Sequence, residues 1–156
     1  MVDRFRLFSA SIAAIHRDVQ KIERDEMEQY GLKGSFAQYL VLLIQYPEGI
    51  PAARLTELSG NDKAAVSRTV AEMEEMGLIC KKAEKTYRAP LTLTEEGRKA
   101  AEFVCRRAEE AVALAGGGLT DETRAVFYEA LGQIAQRLHT VSTKGLSPKT
   151  KQGDAK

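Results

Sequence analysis

The chain has no long apolar run and almost no net charge. Its 156 residues carry a formal net charge of +1, and hydrophobic residues make up 44% of them. No run approaches the roughly 18 apolar residues that a membrane-spanning helix needs, and the first residues lack the apolar core of a secretory signal. We therefore expect a cytoplasmic protein that does not contact a membrane. Any case for nucleic-acid binding must rest on local charge.

Cysteine and histidine are also scarce, with only Cys80, Cys105, His16 and His139 in the chain. Their spacing matches no zinc motif, and a reducing compartment argues against a structural disulfide. We expect both cysteines to be packed, unreactive thiols. No spacing suggests a nucleophile with its base or a catalytic pair of carboxylates. The sequence thus predicts a protein that is not an enzyme and has no cofactor or metal.

Apolar residues recur at steps of three and four near both ends of the chain, which predicts two long helices with narrow apolar seams. One helix covers about residues 3–29 and the other about residues 120–142. Their apolar positions are Phe5, Phe8, Ile12, Ile15, Val19 and Ile22 in the first, and Phe127, Leu131, Ile134, Leu138 and Val141 in the second. Such seams indicate a homodimer interface, with an antiparallel pair inside one chain as the alternative.

Residues 1–142 are expected to form one domain, followed by a tail. Residues 143–156 contain Gly, Pro, Ser, Thr and Lys with almost no apolar residue. A segment of this composition cannot bury enough apolar surface to fold, so it predicts a disordered tail.

The centre of the chain predicts three short helices in succession. Ser35 and Gln38 have the spacing of a capping box and predict the start of the first helix at Ser35. Pro47 ends that helix, and Pro51 suits the first turn of the next. Gly60 is the residue type that ends a helix in the left-handed conformation.

The third of these helices, about residues 63–76, has one apolar and one small or polar face. Either Asn61 or Asp62 is expected to cap it. The inward face is predicted to hold Val66, Val70 and Met73, and the outward face Ala64, Ser67, Arg68 and Ala71. Small residues allow close approach to DNA, while a serine hydroxyl and a guanidinium suit phosphates or base edges. Lys63, Ala64, Ser67 and Arg68 are the predicted DNA contacts on this helix.

A basic β-ribbon is predicted between Leu78 and Leu93. Between residues 78 and 91 there are four basic side chains and one acidic side chain, Glu84. The basic residues are Lys81, Lys82, Lys85 and Arg88, and each is a predicted DNA contact. A basic hairpin beside a recognition helix adds salt-dependent contacts to phosphates or to the minor groove.

The order of these elements predicts a winged helix-turn-helix over about residues 35–97 in a mainly α fold with a small β-ribbon. Four segments resemble the MarR family of bacterial transcription regulators: 38–43 (QYLVLL), 55–68 (LTELSGNDKAAVSR), 73–79 (MEEMGLI) and 93–97 (LTEEG). Each segment is common alone, but their order is specific. Together with the terminal helices, the resemblance covers about residues 4–141.

The resemblance implies a homodimer that is joined through its terminal helices and binds a near-palindromic operator in double-stranded DNA. It also implies repression that is relieved by a small aromatic or acidic effector, bound in a cleft near His16, Tyr39 and Leu43. Members of the family commonly carry an Asp shortly before the Arg of the wing. This chain has no Asp in its ribbon. The sequence leaves open whether Lys85 or Arg88 faces the groove.

A second function remains compatible with the sequence. A winged helix can also bind another protein, and the acidic residues Glu72, Glu74 and Glu75 at the end of the third helix favour such a module. The two functions differ in one measurable property, because only the first requires salt-dependent binding to duplex DNA.

Overall fold

The computed structural model of the chain describes residues 3–81 and 89–146. The described residues divide after Leu114 into two compact units. They form helices α1 (Arg4–Gln29), α2 (Ala37–Ile44), α3 (Ala52–Ser59), α4 (Lys63–Glu75), α5 (Glu95–Ala115) and α6 (Asp121–Lys144), with strands β1 (Ile79–Lys81) and β2 (Leu91–Leu93). The prediction of a mainly α chain with a small antiparallel ribbon is confirmed.

The apolar core of the first unit surrounds α2, which contacts α1, α3 and β2. Phe36, Leu40 and Leu55 are among its fully buried side chains. Burial of a side chain of this size stabilises the fold by about 1.5–3 kcal/mol. The inward residues predicted for α4, Val66, Val70 and Met73, are all buried in this core.

The capping box predicted at Ser35 is wrong. Ser35 lies in a 3-10 turn that spans Gly34–Phe36, and α2 begins only at Ala37, without a side-chain cap. The amide of Gln38 does not turn back to cap the helix. It donates to the backbone carbonyl of Ser59, 2.8 Å away and 21 residues later in the chain. Gln38 therefore bonds to a residue that is distant in the sequence and not to the start of its own helix.

The turn between α3 and α4 has the predicted form. α3 ends at Gly60, whose φ of 69° lies in the left-handed region that glycine enters without strain. Of the two candidate caps for α4, Asp62 takes the role, because its side chain accepts a hydrogen bond of 2.9 Å from the backbone N–H of Ala65. Asn61 is thereby left to bond elsewhere.

The ribbon pairs Ile79 with Leu93 and Lys81 with Leu91 in antiparallel register. Its base packs on the start of α5, where Gly97 lies against the backbone of Leu78. A Cβ atom at Gly97 would come within 1.9 Å of the Leu78 carbonyl oxygen. The Thr94 hydroxyl strengthens the corner, since it donates to the Gly77 carbonyl (2.6 Å) and accepts from the Gly97 N–H (3.1 Å).

The second unit contains α6, which is capped by the Thr120 side chain through a hydrogen bond of 3.2 Å from the Thr123 N–H. The helix runs to Lys144, so the predicted boundary of the tail at residue 143 falls inside it. Residues 147–156 lie outside the described residues. No helix in the described ranges is long and apolar enough to cross a membrane.

Candidate nucleic-acid interface and adjoining cavity

Helix α4 presents its predicted outward face to solvent. Ala64, Ser67, Arg68 and Ala71 are all exposed, as is Lys63 at the first position of the helix. Their spacing of three and four residues aligns them along one side, opposite the buried Val66, Val70 and Met73. This side combines small residues with one hydroxyl and one guanidinium, which is the chemistry that a groove-reading helix uses.

The N-terminal half of this face is also the electropositive half. The backbone N–H groups of the first turn point outward from the helix start, where the helix dipole favours an anion. The hydrogen bond from the Ala65 N–H lowers the pKa of the Asp62 carboxyl, and the nearby charge of Arg68 acts in the same direction. Arg68 forms no hydrogen bond or ion pair with the described residues, so its guanidinium is available to a ligand.

The acidic C-terminal half of α4 is paired with lysines from other elements. Glu72 accepts from Lys33 at 2.7 Å, and Glu74 accepts from Lys81 at 2.8 Å. Lys81, a predicted DNA contact, is thus already in an ion pair, although its side chain remains exposed. Two of the three glutamates that favoured a protein-binding module therefore have intramolecular partners.

The other predicted wing contacts, Lys82, Lys85 and Arg88, lie outside the described residues. Whether Lys85 or Arg88 faces the groove therefore stays a prediction. The described residues Lys81 of β1 and Leu91 of β2 pair with each other, and β1 contacts α4.

A cavity of about 530 Å³ adjoins the same helix. Its lining comes from α1, from the 3-10 turn and first turn of α2, from the end of α3 and the following turn, and from α4. The residues are His16, Gln20, Glu23, Arg24, Gly34, Ser35, Gln38, Tyr39, Ser59, Asn61, Ala65 and Thr69. A volume of this size is typical of sites for small molecules.

The structure brings together two of the three residues predicted for an effector cleft. His16 and Tyr39 both line the cavity, while Leu43 does not, because its side chain turns into the apolar core one helical turn further along α2. Glu23 also lines the cavity, and burial raises the pKa of its carboxyl, while the charge of His16 lowers it in part. Sequence reasoning missed Glu23, since a lone glutamate on a long helix carries no signal.

A hydrogen-bonded junction forms part of the cavity wall, and sequence reasoning missed this as well. The Asn61 side-chain amide donates to Gln38 Oε1 (3.1 Å) and to the Tyr39 hydroxyl (2.8 Å). The Gln38 amide donates to the Ser59 carbonyl. The one available signal was Asn61 itself, which is a second capping residue beside Asp62 in a turn that requires a single cap.

The two cysteines differ from each other. Cys105 is partly buried, and burial together with the charge of Glu23 raises the pKa of its thiol. Cys80 is exposed on β1, beside the Thr92 hydroxyl at 3.3 Å. The prediction of a packed thiol is therefore wrong for Cys80, because a two-stranded ribbon buries only one of its faces. The described residues contain no cluster of three or more His, Cys, Asp or Glu side chains that would hold a metal ion.

Apolar side chains on the two terminal helices are exposed. On α1, Phe5 is 75% exposed and Ile15 is 54% exposed, and on α6 Leu138 is 51% exposed. The other predicted interface residues that are exposed are Phe8, Ile12, Phe127 and Ile134, while Leu131 is partly buried. Helix α6 contains no fully buried residue among its 24. Both helices therefore expose apolar surface to solvent in the single chain.

No protein-family model and no curated protein matches the chain. Solved structures do match it over most of its length. A MarR family regulator from Listeria monocytogenes, solved with a 26mer DNA, is 24% identical, with a TM-score of 0.70 and coverage of 90% of this chain and 96% of that one. A MarR regulator from Methanosarcina mazei has a TM-score of 0.74 at 18% identity, over 87% and 92% of the two chains.

A third match is a MarR family protein from Mycobacterium tuberculosis, solved in complex with p-aminosalicylic acid. It is 20% identical, with a TM-score of 0.64 and coverage of 81% of this chain and 97% of that one. The three structures cover 81% to 90% of this chain and 92% to 97% of their own length, with TM-scores of 0.64 to 0.74. The chain has the winged-helix fold of the MarR family of transcriptional regulators.

Proposed function

We propose that this chain is a sequence-specific, double-stranded DNA-binding transcription regulator, which acts as a homodimeric repressor and is released by a small ligand. The observation that carries the proposal is the outward face of α4. It exposes Ser67 and Arg68 between two alanines, while Glu72 and Glu74 are held by lysines. The similar Listeria protein, which was solved with DNA, supports the same assignment.

Binding to duplex DNA tests this proposal directly. The full chain is titrated against a fluorescent duplex from upstream of its own gene, a duplex recovered by in vitro selection, and a scrambled duplex, each across a salt series. We expect dissociation constants of about 10⁻⁸ M or tighter for the selected duplex and a steep loss of affinity with salt. Equal, weak binding to all three duplexes would overturn sequence-specific recognition.

The homodimer part of the proposal rests on the exposed apolar seams. In proteins most of the stability of a helix comes from the packing of its apolar face, and α6 buries no residue in the single chain. Burial of seam residues such as Phe127 and Leu138 against a second copy would supply the missing stabilisation. Two copies would also present two α4 helices, as a near-palindromic operator requires.

Replacement of Ile12 by glutamate in the α1 seam is expected to convert the dimer to a monomer, because the new carboxylate would have to be buried without a partner. Sedimentation equilibrium measures the change. The control is Ala10→Glu, which adds the same charge on the opposite side of the same exposed helix and should leave the dimer intact. An Ile12→Glu variant that still sediments as a dimer would move the interface away from this seam.

The ligand part of the proposal rests on the cavity beside α4. Arg24, Gln20 and Tyr39 offer hydrogen-bond donors there, and the lining also includes apolar surface. The similar Mycobacterium tuberculosis protein, solved with p-aminosalicylic acid, supports an aromatic acid as the first ligand to try.

An aromatic acid that fills the cavity is expected to raise the melting temperature by binding the folded state and to weaken binding of the selected duplex. A panel that includes p-aminosalicylic acid is screened by thermal shift and then in the anisotropy assay. A variant that tests the site is Gln20→Leu, which removes a polar group of α1 that lines the cavity and should reduce both effects. If every acid leaves both readouts unchanged, this part of the proposal fails.

A further inference from the structure

Three side-chain hydrogen bonds join the start of α2 to the turn that precedes α4. The Ser59 carbonyl can only accept, so Gln38 must present its NH₂ group to it, at 2.8 Å. Gln38 Oε1 then faces the other way and can only accept, which requires Asn61 to donate, at 3.1 Å. The second proton of the Asn61 amide goes to the Tyr39 hydroxyl, at 2.8 Å. Each donor and acceptor in this junction therefore has one consistent orientation.

The junction lies where it can govern the position of one half of α4. Asn61 directly precedes Asp62, the residue that caps the helix. The C-terminal half of α4 is anchored separately, by the Lys33–Glu72 and Lys81–Glu74 ion pairs and by the buried Met73. In the N-terminal half, Val66 packs inward, and the turn at Asn61 provides the polar anchor on the side of α2.

The Tyr39 end of the junction is the part that is shielded from water. Tyr39 is only 3% exposed, whereas Gln38 is half-buried and Asn61 is exposed, and a hydrogen bond shielded from water is stronger and more costly to lose than an exposed one. The exposed ion pairs at the other end of α4 each contribute at most about 1 kcal/mol. The partly buried bond to Tyr39 therefore makes Asn61 a polar anchor of α4, next to the residues that would contact bases.

We propose that Asn61 is a positioning residue, which, together with Gln38 and Tyr39, fixes the N-terminal half of α4 and thereby the placement of Ser67 and Arg68 on DNA. The inference rests on the proposed DNA-binding function. The three junction residues also line the cavity, as do Ala65 and Thr69 of α4, so the cavity adjoins both the junction and the recognition helix. If an oxygen atom of a bound ligand accepted one of the two Asn61 amide protons, that bond would replace one of the hydrogen bonds from Asn61 to α2.

The test uses Tyr39→Phe, which removes only the accepting hydroxyl, and Asn61→Ala, which removes both donated bonds, in the full chain. We expect the affinity for the selected duplex to fall by up to about fivefold in Tyr39→Phe, since the net worth of one hydrogen bond is the upper limit of the loss, and further in Asn61→Ala. Affinity for scrambled DNA and the salt slope should not change, because no phosphate contact is removed. In the Asn61→Ala background, Tyr39→Phe should have no further effect.

The matched control is Thr56→Val, which removes a half-buried hydroxyl bond of 2.9 Å within α3 and leaves the junction intact. Hydrogen–deuterium exchange of the α4 amides gives a second readout that needs no DNA, and faster exchange at Val66 to Arg68 is expected in both junction variants only. If wild type binds no duplex but this exchange increases, the proposed function fails and the junction stands. If wild type binds DNA and both variants match it in exchange and specificity, the positioning role is overturned.

Discussion

The Arg68→Ala variant is expected to bind the selected duplex about 1–3 kcal/mol more weakly than wild type, which is the usual worth of one bidentate base contact. Arg68 is exposed on the N-terminal half of α4 and has no intramolecular hydrogen bond or ion pair in the described part of the chain. Its guanidinium therefore has no hydrogen bond to a described residue to give up when DNA binds, although it lies near the Asp62 carboxylate. Fluorescence anisotropy against the selected and scrambled duplexes measures the change.

The control separates base recognition from loss of charge. Arg106→Ala removes the same charge from α5, where the guanidinium lies over the Phe103 ring at 5.7 Å. It should change affinity for both duplexes equally and only slightly. A loss in Arg68→Ala that is equal for both duplexes would reassign Arg68 to a phosphate contact, and an unchanged affinity would remove it from the interface.

Periodicity was sufficient to locate the long helices. The steps of three and four in the terminal seams place α1 and α6 within two residues of their observed ends, because an apolar stripe along one face of a helix requires that spacing. Gly60 and Asp62 marked the turn correctly, since a left-handed C-cap and an N-cap are local requirements of the backbone. Interactions such as helix caps can be predicted from a sequence because the interacting residues are close together in the chain.

Tertiary partnerships were not predictable in the same way. Gln38 was assigned to a local cap, yet its partner is the Ser59 carbonyl. Lys81 was assigned to DNA, yet Glu74 lies 2.8 Å from its ammonium group. In both cases the competing partner lies on another element, and the distance between the two depends on how the helices pack. The same reason hid the Asn61 junction and left Leu43 assigned to a cavity that it does not line.

Replacement of Gly97 by alanine is expected to destabilise the fold by about 3 kcal/mol, the upper end for overpacking of a well-packed site. The added Cβ would lie 1.9 Å from the Leu78 carbonyl oxygen, which is backbone and cannot rotate away. The same oxygen accepts a hydrogen bond of 3.0 Å from the Thr94 N–H, so relief of the clash would also weaken the corner between the ribbon and α5. Urea unfolding at fixed protein concentration measures the change.

The same substitution at Gly132 is expected to have the opposite effect on stability. Gly132 lies within α6 with no atom within 4 Å of an added Cβ, so alanine there should increase helix stability by about 0.5–1 kcal/mol. Opposite signs in the two variants would show that the cost at Gly97 comes from the contact with Leu78 and not from the loss of a glycine. An unchanged midpoint in Gly97→Ala would contradict the close packing of the ribbon base on α5. Because that packing sets where the wing leaves the core, its loss should also weaken DNA binding at temperatures well below the unfolding midpoint.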